Sequence, residues 1–292
     1  APTAPNKRRD GMKKVLKGAL IGVLCLILAA AIVLGCMLFW HYPRFAANRR
    51  ALSTPAGDGA ENKIMSYNLR LITPTDTGER SWFYRAEYVL KDIEQEAPGI
   101  IGFQEATRWQ YDFLVESLPD HDSVITYRDD TFNSEGCPIF YHTGRYTLVD
   151  KGSFWLSETP EVMSKDWGSA CYRITSYVIL TDNSTGKDFV VFNTHLDHVS
   201  DEARIEGMGV ILDKIAQFGD LPAVIMGDLN AQEDSATILA ATEHFLDARY
   251  AAEETVDTYT YQNWGNFDAA VRIDYFMISQ SGIRYYQRTA RE

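Results

Sequence analysis

Residues 190–198 read VVFNTHLDH, an unbroken apolar run that closes on Asn193, Thr194, His195, Asp197 and His198. A short run rich in β-branched and aromatic residues is a buried strand. In extended chain, residues two apart share a face, so His195 and Asp197 are expected to point together into one cleft. Further on, VIMGDLN (224–230) repeats the pattern, a buried strand over Ala223–Met226 closing on Asp228 and Asn230. MSYNLR (65–70) ends a strand on Asn68, IIGFQEA (100–106) ends one on Glu105, and RIDYFMIS (272–279) carries Asp274.

Between these strands the period changes. Trp82–Glu96 predicts a helix with Ala86, Val89, Leu90, Ile93 and Ala97 at spacings of three and four. Thr107–Leu118 predicts a second helix. Ser200 caps a third, with Ile205, Met208, Ile211, Leu212, Ile215 and Phe218 as its apolar face. Residues 138–155 are expected to form a hairpin turning at Thr143-Gly144. Residues 172–194 are expected to form another, turning through Asp182–Gly186, and Ile283–Arg288 is expected to be a last strand. Hairpins with separate helices predict α+β layers rather than strict βαβ winding.

Outside this region the chain changes character. Gly18–Trp40 is uncharged over 23 residues, long enough for a helix to cross a bilayer core. The basic stretch KRRDGMKKVLK precedes it, so the positive-inside rule places residues 1–17 in the cytoplasm and the chain after His41 outside a cell membrane. A cleaved signal peptide would have a shorter apolar core, and Val33–Cys36 makes a poor lipobox. Residues 41–62 are expected to be a linker and 63–292 a domain. Residues 1–50 hold nine Lys and Arg against one acid, and the rest 19 against 39. So acidic a domain excludes long-range attraction to long duplex DNA, which depends on Lys and Arg. It suits one that gathers cations at carboxylates. Nothing in the chain implies a protein partner. Cys137 and Cys171 lie in the expected domain, where an oxidising compartment would allow them to pair.

Taken singly, each strand-end residue has an ordinary structural explanation. Glu105 could be a helix N-terminal charge, Asp228-x-Asn230 a turn, Asp274 a partner for Arg272, and Arg173 one arm of a surface ion pair. Five strand ends together present carboxylates, amides and an imidazole. Phosphoester hydrolysis with a hard cation needs that set: oxygen ligands, a Lewis acid, and donors for the charge that builds on the phosphoryl group.

In this order, Asn68, Gln104-Glu105, Asn193-Thr194-His195, Gly227-Asp228-x-Asn230 and Arg272-Ile273-Asp274-Tyr275, the chain resembles the endonuclease/exonuclease/phosphatase superfamily from about Lys63 onward. PIFYHTGRYTLVDKGSFWLSETP and CYRIT resemble a bacterial, membrane-anchored branch of it. The resemblance implies a deoxyribonuclease I-like four-layer αββα sandwich with its site at one end of two sheets. It implies Mg²⁺, or Mn²⁺, at Glu105 with Asn68 beside it. His195 would bind the scissile phosphate, Asp228 would activate or position water, and Asn230 would hold a phosphate oxygen. Asp274 would orient a second histidine. Glu135 and Asp197 would support the site, and Arg173 would contact substrate. The expected function is metal-dependent hydrolysis of a phosphoester in a nucleic acid, nucleotide or phospholipid. The alternative is an inactive, membrane-tethered module that binds phosphoesters.

Two departures qualify this. Arg70 is followed by Leu71-Ile72-Thr73, where many members carry an acid. The family closes on Ser-Asp-His, and this chain reaches Glu292 without it. Residues 1–292 alone are therefore expected to be nearly inactive, with a longer reading frame restoring the site.

Overall fold

The computed structural model describes residues 7–55, 63–256 and 258–280. Its helices are α1 (Lys7–Phe39), α2 (Tyr42–Asn48), α3 (Trp82–Glu96), α4 (Arg108–Ser117), α5 (Asp201–Ala216), α6 (Ala236–Thr242) and α7 (Ala248–Ala251). The strands are β1 (Ile64–Asn68), β2 (Ile100–Gln104), β3 (Ala106–Thr107), β4 (His121–Val124), β5 (Glu135–Gly136), β6 (Ile139–His142), β7 (Tyr146–Trp155), β8 (Ile174–Asp182), β9 (Lys187–His195), β10 (Ala223–Asp228), β11 (Phe245–Asp247) and β12 (Asp274–Ser279). The expected Ile283–Arg288 strand lies outside the described residues.

Two sheets form the centre. One has the order β1-β2-β6-β4 and the other β11-β12-β10-β9-β8-β7; β3 and β5 pair separately. Alternation along β8 and β9 decides which face meets what. Val178, Leu180, Phe189 and Val191, with Met226, pack against Ile100, Ile139 and Tyr141 of the four-stranded sheet. The other face presents Tyr177, Ile179, Val190 and Phe192 to Met208, Ile211 and Ile215 of α5 and Ile238 and Ala241 of α6. Each such burial stabilises the fold by about 1.5–3 kcal/mol. On the far side of the four-stranded sheet, Phe140 meets Phe103 edge-on at 5.5 Å and Tyr111 of α4 at 5.8 Å. Tyr67 of β1 donates to Asp92 of α3 at 3.0 Å. Helix, sheet, sheet, helix is the α+β sandwich that the resemblance implied.

The helix ends follow local chemistry. Thr107 and Gln110 form a reciprocal capping box on α4, and the Ser200 side chain accepts from Ala203 N at the start of α5. The hairpin expected over 172–194 is present as β8 and β9, with Gly186 at φ +66° in its turn. The one expected over 138–155 is not a hairpin. β6 pairs with β2 and β4, whereas β7 crosses to the edge of the other sheet. Both segments are apolar enough to be buried, and periodicity does not say in which sheet. The winding is not strictly βαβ, as expected, although two such units are present. β1 and β2 run parallel across α3, as do β9 and β10 across α5.

The chain divides into two compact units, 1–49 with 73–88 and 50–72 with 89–292. In the first, α1 is one helix long and apolar enough to cross a membrane. Within the segment read as a linker, Tyr42–Asn48 form α2. Its Arg44 donates twice to Glu87, at 3.0 and 2.7 Å, and Asn48 donates to the same carboxylate. Phe39, Tyr42 and Phe45 surround Phe83 with ring centroids 5.3–5.5 Å away. In the second unit, Leu52 is buried and its N–H donates to Ser117 O, while Thr54 N–H donates to Asp120 at 3.1 Å.

Candidate active site

The sheets bring the chemistry-bearing residues to one end. Asn68 closes β1 beside Gln104 of β2, and Glu105 follows. His195 closes β9 beside Asp228 of β10, and Asp228 stands opposite Asp274 of β12. A buried polar bridge joins the sheets immediately behind. Asn193 donates to Phe103 O at 2.8 Å and Pro138 O at 2.9 Å, and accepts from Gln104 at 2.7 Å. Gly102 leaves room for it, because a Cβ there would stand 2.8 Å from the Asn193 amide carbon. Gly227, at φ +140°, is equally constrained; a Cβ would fall 2.0 Å from Thr194 O, between β9 and β10. The peptides before His195 and Asp228 are thus packed backbone to backbone.

Asn68 ties the carboxylates together, donating to Glu105 at 3.1 Å and Asp228 at 3.0 Å. Glu105 also accepts from Leu71 N at 2.9 Å. It adopts φ +56° and Asn230 φ +47°, left-handed conformations that cost about 1–2 kcal/mol in ordinary residues. Backbone strain of this kind clusters at functional sites. Ligand atoms of Glu105, Glu135 and His195 lie within 4.8 Å of one another. The His195 ring nitrogen Nε2 is 3.7 Å from Asp228 Oδ2.

Burial controls the charges here. It holds the His195 imidazole well below its ordinary range, helped by Arg173 and Arg128. It pushes the Asp228 carboxyl up to about 6, although Asn230 N–H and Asn68 donate to it; Glu105 adds repulsion. Burial likewise raises Glu135 against the pull of Arg128, which it meets at 2.5 Å. A histidine beside a carboxylate would ordinarily gain charge as the carboxyl lost its proton. Desolvation wins over that attraction, so both groups are driven toward neutrality. A cluster of strained, desolvated oxygen donors whose carboxylates repel one another fits a hard divalent cation.

Several residues stand elsewhere than expected. Asp197 lies beyond the end of β9, which stops at His195. Asp197 is buried and accepts from Ser169 Oγ, Ala170 N, Val199 N and Ser200 N; against burial, the Ser200 and Val199 N–H groups, the Arg173 charge and Ser169 hold its carboxyl at about 2. Asn230 donates its side-chain amide to Leu196 O at 3.1 Å. Arg173 is no surface ion pair; it is 4% exposed, between Asp197 and His198. Arg272 pairs with Asp247 and Glu233 rather than with Asp274. Asp274 N–H donates to Thr260 Oγ1 at 3.0 Å. Cys137 and Cys171 are both free thiols. Sequence reasoning missed Arg128, Gln104 and Asn193 as supports, and the place of His198 beside Arg173. The last two stand in the opening motif, but the strand was read as carrying its alternation past His195.

The Endonuclease/Exonuclease/phosphatase family profile matches residues 65–288. A solved endonuclease/exonuclease/phosphatase from Bacteroides vulgatus is 32% identical, with a TM-score of 0.70, covering 74% of this chain and 85% of that one. The Bacteroides thetaiotaomicron mannosyl-6-phosphatase is 30% identical, also at 0.70, over 75% and 85%. Among curated proteins, an uncharacterized protein of Acanthamoeba polyphaga mimivirus is 29% identical over 52% of this chain and 60% of its own length. The exoribonuclease subunit Ccr4 of Mycosarcoma maydis is 26% identical over 54% of this chain; the match spans 29% of Ccr4. Fold, strand-end residues and profile agree, and the chain belongs to the endonuclease/exonuclease/phosphatase family.

Proposed function

We propose that the protein is a divalent-metal-dependent phosphoester hydrolase, tethered by α1 with its active end outside a cell membrane. The observation that carries this reading is the Asn68 amide bridging Glu105 and Asp228 beside a buried, neutral His195. Mg²⁺ or Mn²⁺ at Glu105, with Asn68 beside it, would supply Lewis acidity at a phosphoryl oxygen. His195 is placed to donate to that group as charge builds on it. Asp228, with a carboxyl near 6, is suited to position or deprotonate water close to neutral pH. Asn230 and Arg173 hold phosphoryl oxygens, Glu135 and Asp197 act as supports, and Asp274, opposite Asp228 in the ladder, is the residue suited to orient a second histidine.

The substrate class is narrowed by charge and by relatives. The acidic balance of residues 51–292 disfavours long duplexes. The mannosyl-6-phosphatase relative puts sugar phosphates on the panel beside nucleotides, phospholipid head groups and bis-p-nitrophenyl phosphate. Screening that panel with Mg²⁺, at whichever length of the chain is active, is expected to yield turnover that EDTA removes. Tight binding of phosphoesters without turnover would favour the inactive binding module instead.

The orientation rests on the basic block that opens α1, ahead of its uncharged span. Protease added outside intact cells or spheroplasts is expected to degrade the chain after residue 60. Protection until lysis would reverse the assignment.

A further inference from the structure

Arg173 and His195 leave the same end of the β8–β9 ladder, where Thr175 pairs with Thr194. The Arg173 charge is felt by His195, Asp228 and Glu135 alike, so the guanidinium belongs to the site's electrostatics. Its orientation comes from two acceptors. Nε faces Asp197 Oδ2 at 3.5 Å, and Nη2 donates to His198 Nδ1 at 2.9 Å. Arginine only donates, so His198 Nδ1 is the unprotonated nitrogen and this imidazole is neutral in the contact. Nε and Nη2 form one side of the guanidinium fork. Both acceptors lie on that side, and among the described residues Nη1 donates to no protein group.

We infer that His198 is a positioning residue that aims Arg173 at the phosphoryl group. It fixes the guanidinium plane through a neutral acceptor, leaving the Nη1–Nη2 end for two parallel bonds to phosphate oxygens. Planar, bidentate recognition of phosphate is what arginine does best. The neutrality of the acceptor matters as much as its position. Asp197 already offsets part of the charge, and a second carboxylate would leave Arg173 little attraction for an anion. His198 is itself exposed, so it can be changed without opening the core. This inference rests on Arg173 being a phosphoryl ligand, as in the reading above.

The test titrates inorganic phosphate into the full chain with Mg²⁺ by calorimetry, and measures kcat and KM separately where a substrate is turned over. His198→Ala is expected to weaken phosphate binding and raise KM about tenfold, with kcat changed far less and the melting temperature unmoved. His198→Asn returns an acceptor oxygen near the Nδ1 position and is expected to recover most of the loss. His198→Asp keeps the hydrogen bond but adds charge, and is expected to bind phosphate more weakly than His198→Asn. A purely structural role predicts no difference between Asn and Asp beyond stability. Equal phosphate affinity in His198→Ala and wild type, or His198→Asp matching His198→Asn, would overturn the inference. Arg173→Lys separates the levels. If it weakens phosphate while His198→Ala does not, only the positioning role fails. If it has no effect, the reading of Arg173 as a phosphoryl ligand fails, and this inference with it.

Discussion

Asp228→Asn is expected to lower turnover at least a thousandfold, in whichever length of the chain is active, and to make the metal-free protein more stable above pH 6. The two effects have one origin. The Asp228 carboxyl is pushed up to about 6 by burial, from 3.8 in the unfolded chain. The folded state therefore holds its proton more tightly, and ionised Asp228 costs stability. That cost is fully present above pH 6, fades as pH falls through 6, and is gone below about 4. Asparagine removes the buried charge but can still accept from Asn68 or Asn230, so the gain should be on the order of 1 kcal/mol. It also removes a group suited to handle the attacking water, and losing one acid–base group costs on the order of 10²–10⁴ in rate. Thermal melts from pH 5 to 8 check the sign. A variant less stable than wild type at pH 8 and unchanged in rate would show that Asp228 is a structural acid.

Glu105→Gln is expected to remove most of the response to Mg²⁺ while preserving the fold. The substitution keeps one acceptor, toward Asn68 or Leu71 N, and deletes a negative charge. Mg²⁺ selects anionic oxygen, so its dissociation constant should rise at least tenfold. At a hundredfold excess over that constant, a ligand stabilises the folded state by about 2.7 kcal/mol. Wild type should gain that much in the melt and Glu105→Gln only a fraction. The gain should also grow as pH rises through 6, where ionised Asp228 most needs a cation nearby. Equal Mg²⁺ affinity by calorimetry in the two proteins would exclude Glu105 as a ligand.

What could be read before the fold was known follows a physical division. Buried strands ending in polar residues announce themselves, because an apolar run that stops at Asn68, Glu105, His195 or Asp228 leaves chemistry at its tip. Helix starts were equally legible at Thr107 and Ser200, whose side chains satisfy orphan N–H groups. Which sheet a strand joins was not. β6 and β7 are separated by a short turn, and nothing local records that one crosses away from the other. Nor does alternation reveal that it stops at His195, leaving Asp197 beyond the strand. The bridge from Asn193 to Gln104 joins residues 89 apart in sequence, so only the packed sheets could disclose it. Arg173 illustrates the same limit. Its residue type was informative, but its burial and two acceptors are products of tertiary structure.

The central claim is that the strand-end cluster hydrolyses phosphoesters through a divalent cation held at Glu105. Its most direct test is turnover of a single substrate from the panel by EDTA-stripped protein, as Mg²⁺ is titrated back. Wild type should be inert when stripped and recover fully, with half-recovery at the Mg²⁺ dissociation constant measured by calorimetry, while Glu105→Gln should need at least tenfold more cation. Full turnover in the stripped protein, or identical Mg²⁺ curves for wild type and Glu105→Gln, would contradict the account.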